Sequence, residues 1–241
     1  MSSNPRKPFH IVSLPYLTKL AHGSAPFLAT FLLIHLAAPA VANLGGSSLS
    51  SQTMLLGREY YQTSFGENFL LLSPLVVHSM SGIAKRLLSP KDQPPRPASS
   101  LLSISGYATL FLFLPIHYMT HRVNPTSDVP PIFAVGPSEL DYEYVKMGLH
   151  TWPWRSWLLY GGLVGSATLH LADGMAVIWN TYLKRKLASS SRKTRLAVSL
   201  GVIALPVMMG IYALSQEPMM IFASTMERYK ASFMSSTVYQ I

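Results

Sequence analysis

The sequence predicts an all-α integral membrane protein with five transmembrane helices. Three observations predict it: a shortage of charge, five long apolar runs, and basic residues gathered at alternate ends of those runs. Only 12% of the 241 residues are charged, about half the roughly 25% of an ordinary soluble domain. Mean hydropathy is +0.27, while the hydrophobic fraction of 49% is ordinary. It is the missing charge that leaves too little polar surface to face water, and so calls for lipid. The absence of cysteine excludes disulfides, thiolate metal sites, iron–sulfur ligation and cysteine nucleophiles.

Crossing a hydrocarbon core takes about 20 helical residues. Runs of that length cover 22–42, 69–88, 101–119, 157–179 and 196–214. They are continuous rather than alternating, which indicates helices and not a barrel. Pro26, Pro39, Pro74, Pro115 and Pro206 fall in or near these runs. Proline is costly in a soluble helix but tolerated in membrane bundles, where neighbouring groups satisfy the freed carbonyls. The chain divides into an N-terminal segment 1–21, a membrane domain 22–215 and a C-terminal tail 216–241. The first run exceeds the short core of a signal peptide, so a retained helix is expected.

Charge sidedness supports five spans. One side carries Arg6, Lys7, Lys19, Lys85, Arg86, Lys91, Arg96, Lys184, Arg185, Lys186, Arg192, Lys193 and Arg195, against one acid, Asp92. The other carries Arg58, Arg122, Lys146, Arg155, Arg228 and Lys230, with eight acids. The positive-inside bias puts the N-terminus in the cytosol and the C-terminus across the membrane. Basic clusters so placed are topology signals and anionic-lipid contacts, not a nucleic-acid site. The long connection from Arg122 to Arg155 is expected to hold a short helix around 140–148. In the tail, Phe222, Met226, Tyr229 and Phe233 recur at helical spacing. They fit an interfacial amphipathic helix, with a frayed tail as the alternative.

Four spans each carry a histidine inside the apolar run: His35, His78, His117 and His170. Ionisable groups at membrane depth are expensive and face the bundle interior. Bis-histidine haem b in a four-helix bundle needs one imidazole from each of two facing helices. In an up-down bundle the diagonal pairs are His35 with His117 and His78 with His170, each matched in depth within about one helical turn. One or two haem b groups would then lie at different depths, as in diheme cytochrome b proteins of the quinone-reductase class. Gly162, Ser166, His170 and Gly174 form a stripe of small residues; Ser81 and Gly82 follow His78, and Gly106 leads the third span. Such residues suit a flat macrocycle, and equally suit close helix packing. The inner pair, His78 and His170, has the smaller neighbours. Asp173, one turn from His170, is placed to orient that imidazole or to line a polar groove. His22 and His121, at span ends, are expected to be interfacial. A groove open to lipid would draw on Ser73, Ser79, Ser81, Asp173 and Asn180. No phosphate-binding glycine loop, HExxH motif or hydrolase triad is present, so the sequence holds no catalytic constellation.

The stretches PYLTKLAHGSAPFLATFLLIHLAAP (15–39), LLLSPLVVHSMSGIAKRLL (70–88), SISGYATLFLFLPIHYMTHR (103–122) and YVKMGLHTWPWRSWLLYGGLVGSATLHLADG (144–174) carry a resemblance. Together they resemble the fungal mitochondrial outer-membrane adaptor family, known for suppressing loss of the ER–mitochondria tether. Its membrane domain is like that of succinate dehydrogenase or fumarate reductase cytochrome b. The resemblance implies a multi-pass protein of the mitochondrial outer membrane that serves lipid homeostasis. It implies a bridge-like lipid-transfer protein as partner, beside the bilayer itself, and a phospholipid scramblase activity. The family recruits that partner through a Pro-x-Pro motif in a longer N-terminal segment. Here the nearest match is Pro95-Arg96-Pro97 in a loop, while Pro5 and Pro8 are spaced PxxP. The alternative function is a haem b electron carrier or the anchor subunit of a membrane oxidoreductase.

The sidedness is testable because the native chain lacks cysteine. A cysteine placed at Ser189 is expected to react with an impermeant maleimide from the cytosol, and one at Ser235 only after permeabilisation. Both reacting from one side would remove the odd number of spans.

Overall fold

The computed structural model describes residues 9–183 and 191–240. Arg6, Lys7, Pro5, Pro8, Lys184, Arg185, Lys186 and the labelling position Ser189 lie outside them. Among the described residues every regular element is helical, as an all-α membrane protein requires. In chain order they include α1 (Phe9–Tyr61), α2 (Ser73–Leu88), α3 (Leu101–Tyr107), α4 (Leu114–Tyr118), α5 (Tyr142–Thr151), α6 (Pro153–Tyr182), α7 (Arg192–Ser199), α8 (Leu205–Gln216) and α9 (Ala223–Met234).

Four helical stretches are long and apolar enough to cross a membrane: Val12–Tyr61, Leu101–Thr126, Pro153–Tyr182 and Arg192–Gln216. They cover four of the five expected runs. The remaining run is helical in place, as Gly66–Leu72 and α2, but Glu67, Asn68, Lys85 and Arg86 dilute its apolar character. Three interior prolines share one solution. Wide π turns at Gly66–Leu72, Ala108–Phe113 and Leu200–Ala204 precede Pro74, Pro115 and Pro206. A wider turn gives room to the ring that would otherwise strike the preceding turn.

The connection after the first run is a further helix rather than a loop. α1 breaks at Gly45 and Gly46 (φ −146°, ψ 23° and φ 58°, ψ −153°). The second pair of angles is open almost only to glycine. Beyond it the chain folds back on itself: a Cβ on Gly57 would lie 3.1 Å from Ile34, and the Tyr61 ring meets Phe31 at 5.1 Å. The turn is held by a buried ionic cluster. Lys146 on α5 is 1% exposed, with Glu143 at 2.6 Å and Glu217 at 3.3 Å. Glu217 also accepts the Ser47 N–H at 2.9 Å, and Glu143 accepts the Met220 N–H at 2.9 Å.

The large apolar core lies beside this cluster, at the end of the bundle opposite the basic face. One part joins Ala38, Ala42, Tyr160, Val207, Ile211 and Leu214. The other is aromatic: Tyr144 stacks on Phe233 at 4.4 Å, with Tyr229, Trp152 and Tyr239 around them. The expected helix around 140–148 is α5. The tail helix also forms, as α9, with its apolar stripe divided. Tyr229 and Phe233 are buried against Tyr144, while Phe222 and Met226 are exposed, so the C-terminal half of the stripe packs on protein and its start stays open to the membrane interface.

Removing one partner of a buried ion cluster leaves uncompensated charge, at about 3–5 kcal/mol. Lys146→Ala is therefore expected to lower stability by about that much, read from unfolding of the purified chain in mild detergent. Burial alone would raise the Glu217 carboxyl, but the bonds from Ser47 and Lys146 hold it below the ordinary range. A lowered folded pKa gives stability that is present above the ordinary glutamate value of about 4.3 and lost as pH falls through the lowered one. Glu217→Gln should flatten that acid limb; an unchanged limb would assign it to other carboxyls.

Candidate functional site

Two antiparallel seams bring the four histidines together. α3 and the turns that follow it pack along α6: Leu102 meets Gly174, Gly106 meets His170, and Phe113 covers Gly162. Thr109 Oγ1 bonds Ser166 Oγ at 2.8 Å. The stripe Gly162, Ser166, His170, Gly174 is thus the helix–helix seam, filled by α3 side chains, and not an empty lane. Gly106 has no Cβ because one would stand 2.7 Å from His170 Nδ1.

Across the bundle the rings of His78 and His170 have centroids 6.0 Å apart, at 88°. Those of His35 and His117 are 5.9 Å apart, at 83°. The inner pair is held by backbone. His78 Nδ1 lies 2.9 Å from the Ala21 carbonyl and His170 Nδ1 lies 3.0 Å from the Leu102 carbonyl. A carbonyl can only accept, so each Nδ1 carries the proton and each Nε2 the lone pair. Neither Nε2 bonds another group among the described residues. Ser24 Oγ stands 3.4 Å from His78 Nδ1.

The surroundings of the inner pair are small and polar. Ser24, Ser81, Ser105, Thr168 and Asp173 are buried there, and Thr168 Oγ1 has no hydrogen-bond partner among the described residues. Large apolar chains point outward: Val76, Met80, Leu87, Ile104 and Phe111 are each more than half exposed. Apart from Ala172, the buried hydrophobic residues lie within 38–61, 132–164 and 204–239. Of the proposed groove residues, Ser81 and Asp173 are buried, Ser73 and Asn180 are exposed, and Ser79 bonds back to the Leu75 carbonyl at 2.6 Å. Asp173 does not orient His170. It forms a fork with Arg192, 2.8 and 3.2 Å, and the Leu102 carbonyl takes the orienting role.

The outer pair is more crowded. Phe31 stacks on His35 at 5.1 Å and 18°, and Tyr61 Oη lies 3.4 Å from His35 Nδ1. His121 is not interfacial. Its ring lies 4.6 Å from that of His117, its Nε2 is 3.1 Å from Tyr160 Oη, and Phe233 and Tyr144 pack on it. A cavity of about 10 Å³ beside His117 and His121 has room for about one water molecule. His22, the other span-end histidine, meets Tyr182 Oη at 3.3 Å.

With metal–imidazole bonds of about 2 Å, two rings sharing one iron have centroids about 6 Å apart. The ring separations of both pairs match that spacing. Room for a macrocycle is scarcer: Phe113 fills the Gly162 flank and His170 the Gly106 flank, whereas a Cβ on Gly82 would meet nothing within 4 Å. Gly82 is exposed, so that space lies on the outer side of α2 rather than between the paired rings.

Fold and site together define a multi-span, all-α membrane protein with paired intramembrane histidines. Residues 112–216 match the family model for the MDM10-complementing protein 1 transmembrane domain. The match spans less than half of the chain and takes in His117, His170 and the whole of α6, but not α3, His35 or His78. It supports the resemblance to the mitochondrial adaptor family and, with the apolar helices, a protein of a mitochondrial membrane. No curated protein and no solved structure matches the chain.

The filled seam makes a direct prediction. Gly106→Ala pushes the His170 ring off the Leu102 carbonyl, and overpacking of this kind costs about 1–3 kcal/mol. Gly82→Ala, into open space, should be close to neutral in the same unfolding assay; equal effects would show that the seam does not depend on the missing Cβ.

Proposed function

We propose that this protein serves lipid homeostasis in the mitochondrial outer membrane, letting phospholipid headgroups cross between leaflets along the polar seam around His78 and His170. One observation carries the reading: in that half of the bundle the buried side chains, Ala172 apart, are serines, a threonine and an aspartate, beside two half-buried imidazoles. A headgroup crossing hydrocarbon loses its hydration, and hydroxyls and imidazoles offer replacement hydrogen bonds. The bundle lowers a barrier and breaks no bond. A bridge-like lipid-transfer protein fits as partner, because lipid delivered to one leaflet has to be redistributed to the other. The family resemblance supports that pairing.

A second reading rests on the 6.0 and 5.9 Å ring separations. His78 with His170, and His35 with His117, would hold haem b through Nε2. Bound haem supplies one-electron transfer, which would make the chain an electron carrier or the anchor subunit of a membrane oxidoreductase. The chain's own part is to fix tautomer and ring orientation through the Ala21 and Leu102 carbonyls.

Vesicles holding the purified chain and a fluorescent phospholipid separate the readings. Dithionite is expected to bleach the inner-leaflet probe in the presence of the chain, and Ser81→Leu with Ser105→Leu to slow that bleaching. Bleaching no faster than in protein-free vesicles would end the scrambling reading. A Soret band that His170→Ala removes and His117→Ala spares would establish haem at the inner pair.

A further inference from the structure

The basic face contains a cluster of cations, one of them fixed in geometry, with too little negative charge to balance it. Arg86, on the last turn of α2, donates through Nη2 to the Arg96 carbonyl at 2.8 Å and to Ser103 Oγ at 3.3 Å. Its guanidinium lies 5.5 Å from the centre of the Tyr107 ring, within cation–π range. Ser103 Oγ is held in turn by Ser100 Oγ at 2.9 Å. These contacts use one nitrogen and set the plane of the group. Nε and Nη1 bond nothing among the described residues. Lys85 adjoins Arg86 in sequence and is close enough to Arg96 for the two charges to repel.

Among the described residues Lys85, Arg86 and Arg96 form no ion pair. Asp92, in the same loop, forms none either, and Asp173 is already held by Arg192. A charge that merely signals topology needs no fixed geometry, and here Arg86 is fixed by two bonds and a ring. Asp173 is close enough to Arg96 to attract it, but it is shared with Arg192 and Arg195, so Lys85, Arg86 and Arg96 keep an excess of positive charge that an anion relieves. The free Nε–H and Nη1–H leave the guanidinium from different edges, so each can donate singly to a phosphate oxygen, with the strength of a charge-assisted bond. The flanking surface is apolar: Leu87 beside Arg86 is 78% exposed and Ile104 beside Ser103 is 54% exposed. Phosphate chemistry next to exposed aliphatic surface is that of a phospholipid.

We propose that Lys85, Arg86 and Arg96 bind the phosphate of an anionic phospholipid in the leaflet at this face, with its chains against Leu87 and Ile104. This site holds a lipid in place, and it stands whether or not lipid crosses along the polar seam.

The test is native mass spectrometry of the full chain, released from detergent after incubation with phosphatidylinositol or phosphatidylcholine. The chain is expected to keep phosphatidylinositol and to lose phosphatidylcholine. Arg86→Gln should cut retention about tenfold, the scale of losing one strong charge-assisted contact. Arg86→Lys should cut it partly, and Arg96→Gln decides the matter if Arg86→Gln does not fold. Lys193→Gln, an exposed cation on the same face, should leave it unchanged. Equal retention by Arg86→Gln and the native chain overturns the site, as does equal loss in Lys193→Gln, which is diffuse attraction. Displacement by inorganic phosphate at matched concentration overturns the lipid as its ligand.

Discussion

The ammonium of Lys146 is buried, and that charge organises the end of the bundle opposite the basic face. A lone buried cation would cost several kcal/mol, so carboxylates must come to it. Glu143 arrives from one turn away on the same helix, and Glu217 from the far end of α8. Each carboxylate has a second oxygen to satisfy, and each spends it on a backbone N–H from another segment, Met220 and Ser47. Four stretches of chain are thereby joined at one point. Gly46 lies against the Glu217 carboxylate, where a side chain would collide. The return of α1 depends on that contact, and the return brings Tyr61 to Phe31 and His35.

Stability and site chemistry therefore occupy opposite halves of the molecule. Aromatic and aliphatic packing is concentrated near Lys146, where Tyr144 Oη also donates to the Thr120 carbonyl and meets Ser232 Oγ, each at 2.9 Å. The half around His78 and His170 has little large apolar packing. It is held by the α3–α6 seam, by imidazole–carbonyl bonds and by the Arg192–Asp173 fork. Lipid surrounding the outward Val76, Met80 and Phe111 does there what a core does elsewhere.

Much of this was legible from periodicity and charge. Long apolar runs locate helices because a membrane demands about 20 residues of them. The diagonal histidine pairs followed from counting depth along antiparallel helices. Other features were not legible. The stripe on α6 fits a cofactor lane and a packing seam equally, and only the Phe113 ring over Gly162 decides between them. His121 lies one turn beyond His117, near charged Arg122, and nothing local says that Tyr160 and Phe233 close over it. Asp173 has a histidine one turn away and an arginine 19 residues away. Sequence proximity favoured the wrong partner, because a carboxylate gains more from a guanidinium fork than from a neutral imidazole. Ser24, Ser105 and Thr168 are unremarked hydroxyls in apolar runs. Their meaning comes from burial beside outward-facing leucine and valine.

The prolines set α6 apart from the second, third and fifth runs. The second, third and fifth runs each contain a wide turn and a proline, so each has a point where its hydrogen-bond ladder is already open. α6 has proline only in its first turn and is continuous for 30 residues, about 45 Å. That exceeds a hydrocarbon core of about 30 Å, so α6 tilts or projects, while its neighbours can bend. In a bilayer of changing thickness, α6 is the rigid gauge and the broken helices take up the mismatch.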